Sequence, residues 1–142
     1  MIVVATMCAF MVVMTTVIHY EVLHRMNQGL PSLKVASRAK LLVVVLVAFL
    51  AHLAEIFLYA LGMYCLVRYA DVGSLGEPAR FSLVNAMYFS AETYTSVGYG
   101  DVVPVGHVRL LAGIEALNGL VLIGWTASYT YIAMERFWGS TS

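Results

Sequence analysis

The chain has 142 residues, 61% of them hydrophobic and 11% charged, and its mean hydropathy is +0.85. A soluble domain carries about 25% charged residues, so this composition is that of an integral membrane protein. The formal net charge is zero and there is no basic tail or arginine stripe, which argues against a nucleic-acid or anionic-surface partner. The first apolar run, Ile2 to Ile18, is near the lower limit of about 17 residues for crossing hydrocarbon. It starts without the Lys or Arg of a signal peptide and is read as a retained membrane helix. From His19 to Lys40 the composition changes, with Glu21, His24, Arg25, Lys34, Arg38 and Lys40 interrupted by Gly29 and Pro31. The basic residues mark this stretch as a cytoplasmic loop by the positive-inside bias, so residues 1–40 are read as one membrane helix and a basic loop. The next run, Leu41 to Val67, would be about 40 Å long as a helix, more than the roughly 30 Å core it crosses.

A polar turn from Arg68 to Phe81 is placed outside. Ser82 to Thr93 is apolar but too brief to span, and it leads into "ETYTSVGYGD", Glu92 to Asp101. The last run, Val108 to Trp138, is a long helix followed by four residues, and no cytoplasmic domain is expected after it. The orientation that closes has the amino terminus outside, the basic loop inside and the carboxyl terminus in the cytoplasm. Cys8 and Cys65 lie in apolar segments, where a free thiol behaves as a small hydrophobe.

Gly98 and Gly100 would be costly in a helix interior, and a lipid-facing loop would leave its backbone groups unsatisfied. Irregular backbone at this depth survives inside protein or along water. Residues tolerating unusual dihedrals at alternate positions let successive carbonyls point to one side, forming a file of oxygen dipoles. Hard cations prefer oxygen ligands. One strand cannot surround an ion, so several chains must contribute, and closed symmetry is the usual solution. A short helix over Ser82–Thr93 would point its negative carboxyl end at the membrane centre and favour a cation there.

The residues "TYTSVGYGD", Thr93 to Asp101, resemble the potassium-channel filter motif T-x-T-T-V-G-Y-G-D with one change. Residues 41 to 135 are similar to the two-helix pore module of bacterial potassium channels. The resemblance implies an all-α membrane fold with three spanning helices, one re-entrant pore helix and a filter loop per chain. Within a pore domain of residues 41–138 it places the outer helix at 41–67, the pore helix at 82–94, the filter at 95–101 and the inner helix at 108–138. It implies a homotetramer in the cell membrane, K⁺ ions bound by Ser96, Val97, Gly98, Tyr99 and Gly100, and no organic cofactor. Ser96 stands where the family usually has threonine. It keeps the hydroxyl and carbonyl but lacks the methyl that restricts χ1, which would loosen the innermost site.

The resemblance also implies filter support from Thr95, Tyr88, Glu92 and Asp101. Glu92 and Asp101 are spaced for pairing, and two carboxyls that close would share a proton; two solvated carboxylates is the alternative. Tyr88 is placed to donate to Asp101 or simply to pack. Gly119 matches the family's hinge position and Gly124 is a second small residue, with close helix packing as the rival role for both. Asn118 and Glu115, about one turn apart, are candidates for a cation-concentrating ring around a cavity, and Glu115 is equally placed to pack against the pore helix. His52 and Glu55 share a helix face and are read as a hydrogen-bonded pair, a proton sensor or part of a metal site, for which one pair supplies too few ligands.

Passive K⁺-selective conduction is the expected function. A poorly selective cation channel and a non-conducting subunit of another channel are the alternatives. No nucleophile–base pair, phosphate loop or complete metal motif points to an enzyme.

Overall fold

A computed structural model of the chain describes residues 1–76 and 81–138. The first helix, α1, spans Ile2–Gly29. This corrects the expected end near Ile18, because polar composition does not stop a helix and neither Gly nor Pro occurs from Ile2 to Gln28. Glu21 and Arg25 pair across one turn of it at 3.4 Å. It stops where Gly29 and Pro31 force a single tight turn, Leu30–Ser32. The second helix, α2, covers Ser37–Tyr69 and exceeds the expected Leu41–Val67 at both ends. A short helix, α3, covers Leu83–Tyr94, and the Ser82 hydroxyl caps it by accepting from the Asn85 amide at 3.2 Å. The last helix, α4, is Val108–Trp138, the expected range. Three of these helices, α1, α2 and α4, are long and apolar enough to cross a membrane.

The architecture is helical apart from a small ribbon absent from the expected all-α fold. Strand β1, Gly73–Leu75, pairs antiparallel with β2, Pro104–Gly106, in the register Gly73↔Gly106, Ser74↔Val105, Leu75↔Pro104. The ribbon joins the end of α2 to the start of α4 and brackets α3 and the glycine stretch between them. Gly73 has φ +146°, and a Cβ there would lie 2.0 Å from the Val105 carbonyl oxygen, so only glycine fits the pairing. Residues 77–80 and 139–142, part of the expected outer turn and the tail, lie outside the described residues.

Packing divides the molecule into two apolar ends and a polar middle. At the ribbon end, Val4, Cys8 and Met11 of α1 meet Tyr59, Met63 and Leu66 of α2, Phe89 of α3, and Val108 and Leu111 of α4. At the other end Leu23, Met26 and Leu30 meet Val44, Ala133 and Phe137. Between them Thr15, His19, Glu55, Ser90, Glu115 and Asn118 are all buried. Hydrocarbon offers such groups no hydrogen bonds, so they must find partners across helices. Asn118 Nδ2 donates to Thr15 Oγ1 at 2.7 Å and to the Tyr59 hydroxyl at 3.1 Å, tying α4 to α1 and α2. Ser90 donates to the Ile56 carbonyl at 2.8 Å and lies against the Glu115 carboxyl. Residues 1–40 and 41–138 therefore share one polar core.

These bonds correct the expected cavity ring for Asn118, which turns to Thr15 and Tyr59 inside the protomer. Glu115 takes the other expected place, against Ser90 of α3, because the faces of α4 that meet its neighbours are where polar groups find donors and acceptors. Gly119 is placed by contact. A Cβ there would lie 2.1 Å from the Tyr94 carbonyl oxygen, whereas one at Gly124 meets nothing within 4 Å. Close approach of α4 to the end of α3 thus requires Gly119. Gly119→Ala is expected to destabilise the fold by about 1–3 kcal/mol, the usual cost of overpacking, while Gly124→Ala stays within about 0.5 kcal/mol. Thermal unfolding of the two variants in detergent measures the difference.

Candidate functional site

The glycine stretch leaves α3 at Thr95, whose amide donates to the Ala91 carbonyl at 3.2 Å and whose hydroxyl donates to the same oxygen at 2.7 Å. Beyond it the backbone alternates. Ser96, Gly98 and Gly100 have φ of +59°, +55° and +81°, and the residues between them do not enter the positive-φ region. A left-handed conformation costs a non-glycine residue about 1–2 kcal/mol, and more with a β-branch, so serine fits position 96 better than threonine or valine. A Cβ at Gly98 or Gly100 would meet nothing within 4 Å, so conformation rather than space calls for glycine there.

The amides of the stretch all turn back toward α3. Ser96 N donates to the Thr93 carbonyl at 3.0 Å, and Val97 N and Gly98 N both donate to the Glu92 carbonyl, at 2.9 and 3.2 Å. Tyr99 N donates to Glu92 Oε2 at 2.9 Å. Glu92 thus holds three successive amides, two through its backbone and one through its side chain. Among the described residues no hydrogen bond reaches the carbonyls of residues 95–100, and this whole segment is exposed on the protomer. The result is a row of uncommitted oxygens fixed from behind.

Tyr88 and Asp101 meet at the end of the stretch away from Thr95. The Tyr88 hydroxyl donates to Asp101 Oδ2 at 3.0 Å and Oδ1 at 3.2 Å. Desolvation first, then the Asp101 carboxylate, push the Tyr88 phenol above its ordinary value, which keeps it a donor. The expected Glu92–Asp101 pair does not form. Each carboxylate has its own donor, the Tyr99 amide for Glu92 and the Tyr88 hydroxyl for Asp101.

A second constellation lies behind Tyr94. The Tyr94 hydroxyl donates to Glu55 Oε2 and lies 2.9 Å from His52 Nδ1. Glu55 Oε2 is 3.1 Å from His52 Nδ1, and Oε1 is 2.9 Å from Nδ1 of His19 on α1. The Thr126 hydroxyl on α4 stands between the two Nε2 atoms, 3.0 Å from His52 and 3.1 Å from His19. His52 and Glu55 are therefore two members of a five-residue cluster reaching all four helices. His19 and Thr126 were not among the expected site residues. His19 was legible in principle, since Val4, Cys8, Met11, Thr15 and His19 form one buried stripe at helical spacing once α1 continues past Ile18.

Comparison with known proteins settles the class. Residues 44–136 match the model of a family described as "Ion channel". The chain belongs to this ion-channel family. It is 31% identical over 90 residues to the inward rectifier potassium channel Kirbac3.1 of Paramagnetospirillum magnetotacticum, covering 62% of this chain and 30% of that protein. It is 49% identical over 43 residues to two-pore potassium channel 1 of Arabidopsis thaliana, covering 30% of this chain and 12% of the relative. Protein LctB of Geobacillus stearothermophilus is 41% identical over 54 residues, covering 38% of this chain and 40% of the relative. The chain thus spans well under half the length of each of these relatives. No solved structure matches significantly.

In this ion-channel chain α1 lies before the family match, while His52, Glu55, Tyr94, Asn118 and Thr126 fall inside it. The chain is therefore a non-enzymatic channel component. Its exposed carbonyl row and the cluster behind Tyr94 are the two candidate sites. Glu92→Ala is expected to accelerate amide exchange at Tyr99 by about tenfold or more, since a hydrogen bond to a charged group contributes about 1.5–3 kcal/mol. Glu92→Gln, which keeps an acceptor, is expected to recover most of that protection. Exchange followed by mass spectrometry measures both.

Proposed function

We propose that the chain is one subunit of a tetrameric, K⁺-selective channel that conducts passively down the ion gradient. The carbonyls of Ser96, Val97, Gly98, Tyr99 and Gly100 from four chains would replace the hydration shell of K⁺ ions in single file. The observation that carries this reading is the alternation of positive φ at Ser96, Gly98 and Gly100, with every amide from Ser96 to Tyr99 bonded to the rear. Such a segment has oxygens to offer and no other use for them. Cation coordination by backbone carbonyls needs a closed ring of this kind.

In the same reading α3 is a re-entrant pore helix whose negative carboxyl end faces the ion path. Helix α2 is the outer helix and α4 the inner one, with Gly119 and Gly124 available to absorb backbone change on opening. The protein would sit in the cell membrane with its amino terminus outside and its carboxyl terminus in the cytoplasm. Two of the relatives are named as potassium channels, which supports K⁺ as the ion. Ser96, held at φ +59°, favours a second reading in which the innermost site is loose and the pore is a less selective cation channel.

Flux into liposomes of purified protein under K⁺ or Na⁺ gradients tests both. K⁺ flux well above Na⁺ flux, abolished by Gly98→Asp, is the expected result. Equal flux of the two ions supports the less selective pore. Absence of flux under either gradient counts against conduction in this state, and a protein that then fails to elute as a homotetramer points to a subunit that requires a partner.

A further inference from the structure

Of the polar residues buried between the two apolar ends, His19, His52, Glu55 and Tyr94 have a geometry that ion conduction does not call for. His19, His52 and Glu55 each present one ligand atom, and these atoms all lie within 4.8 Å of one another. The Glu55 carboxylate sits between the rings, with Oε1 2.9 Å from His19 Nδ1 and Oε2 3.1 Å from His52 Nδ1. The Tyr94 hydroxyl adds a fourth donor atom, 2.9 Å from the same His52 nitrogen and bonded to Glu55 Oε2. Ligands of a tetrahedral ion with bonds of about 2.0–2.1 Å lie about 3.3 Å apart, so ligand atoms already within 4.8 Å of one another would have to draw together by at most about 1.5 Å.

The far side of both rings is equally organised. Thr126 Oγ1 lies 3.0 Å from His52 Nε2 and 3.1 Å from His19 Nε2, so one hydroxyl serves both. A hydroxyl has two lone pairs and one proton. It can accept N–H from both Nε2 atoms together, and then both Nδ1 atoms are lone pairs aimed at Glu55. That is the tautomer pair of two metal-bound imidazoles with their other nitrogens held by an outer partner. With Glu55 ionised and both rings neutral, protons alone leave one contact unfilled. If both Nδ1 atoms carry protons, Thr126 can donate to only one of the two Nε2 atoms. If one Nδ1 is bare, the single Tyr94 proton cannot serve both it and Glu55. One further positive charge completes the contacts, and either a proton shared by the two rings or a cation held between them and Glu55 supplies it.

We propose that His19, His52, Glu55 and Tyr94 form a transition-metal site of the Zn²⁺ class inside the helix bundle, with Thr126 as its outer support. Two imidazoles, a carboxylate and a phenol oxygen suit Zn²⁺ or Co²⁺ and disfavour Mg²⁺ or Ca²⁺, which take all-oxygen shells. His19 and Glu55 are closed to solvent, while the His52 side chain is 17% exposed and marks the side from which an ion would enter. A bound ion would join α1, α2 and α3 at one point, one residue before Thr95 at the start of the carbonyl row.

Co²⁺ titration of the full chain in detergent, after chelator treatment and removal of the chelator, tests the site independently of conduction. One Co²⁺ per chain is expected, with the intense visible bands of a tetrahedral centre, and Zn²⁺ should displace it. His19→Gln and Glu55→Gln should each abolish that spectrum, and Thr126→Val should weaken binding about 10–100-fold, as loss of an outer-shell partner does. His24→Gln, on an exposed histidine of the same helix bonded to Gln28, should change nothing. Elution volume and helical circular dichroism show which variants remain folded, and any one of the three cluster variants that folds suffices. Retention of the spectrum in a folded His19→Gln protein overturns the proposal. So does a wild-type chain that binds no Co²⁺, in which case the cluster carries a proton where the metal was placed.

Discussion

Tyr94 joins the two halves of the site. Its side chain is fully buried and donates to Glu55 of α2, while its backbone carbonyl lies where only a glycine of α4 can approach. The carbonyl row begins at the next residue, so its position follows from a phenol anchored on one side and a helix pressed close on the other. Ser90, bonded to the Ile56 carbonyl, and Phe89 in the apolar core hold the preceding turn of α3 as well. Together these contacts fix the height and rotation of its last turn. The rest of the site is built outward from that turn.

The row itself solves a problem of opposed demands. Its oxygens are useful to a cation only if nothing in the protein uses them, yet a backbone whose groups are all unbonded would not hold a shape. Positive φ at Ser96, Gly98 and Gly100 goes with amides from Ser96 to Tyr99 that bond back to residues 92 and 93, while among the described residues the carbonyls of 95–100 accept no hydrogen bond. Glu92 then satisfies three amides from a single residue, which explains a carboxylate at the end of a helix with no basic partner beside it. The ribbon of β1 and β2 contributes at the other end, since it holds the approach of α2 and α4 fixed around the stretch.

Much of this was legible in the sequence. Gly98 and Gly100 flanked by spanning segments required irregular backbone with a purpose, and α4 began and ended as its apolar run did. Other features were hidden for physical reasons. Polar residues after Ile18 resembled a loop because composition, not helix breaking, was being read, and this concealed His19. Asn118 was open to a cavity ring, and Glu115 to that ring or to packing on α3, because a single helix pattern does not say which neighbour each face meets. The spacing of Glu92 and Asp101 was compatible with a pair, but spacing carries no direction, and each side chain turned to a different donor. Strands of three residues made of Gly, Ser, Leu, Pro and Val have no periodicity to detect. The contact of Gly119 with Tyr94 is a tertiary event that no local signal records.

The polar level also constrains how the protein can be made. Helix α1 is made before the other three, carrying Thr15 and His19, and neither can reach its interhelical partner until those helices arrive. Helix α2 brings Glu55 and His52 into the bilayer before α3 or α4 exists, so its carboxylate can meet His19 but not yet Tyr94, and the two histidines still lack Thr126. The two helices thus have reason to leave the translocon as a hairpin, the first satisfying part of the second. Asn118 and Thr126 complete the set only once α4 has been made. The bundle is therefore checked by the arrival of α4: without it, polar groups of the other helices stay orphaned in hydrocarbon, where they are costly.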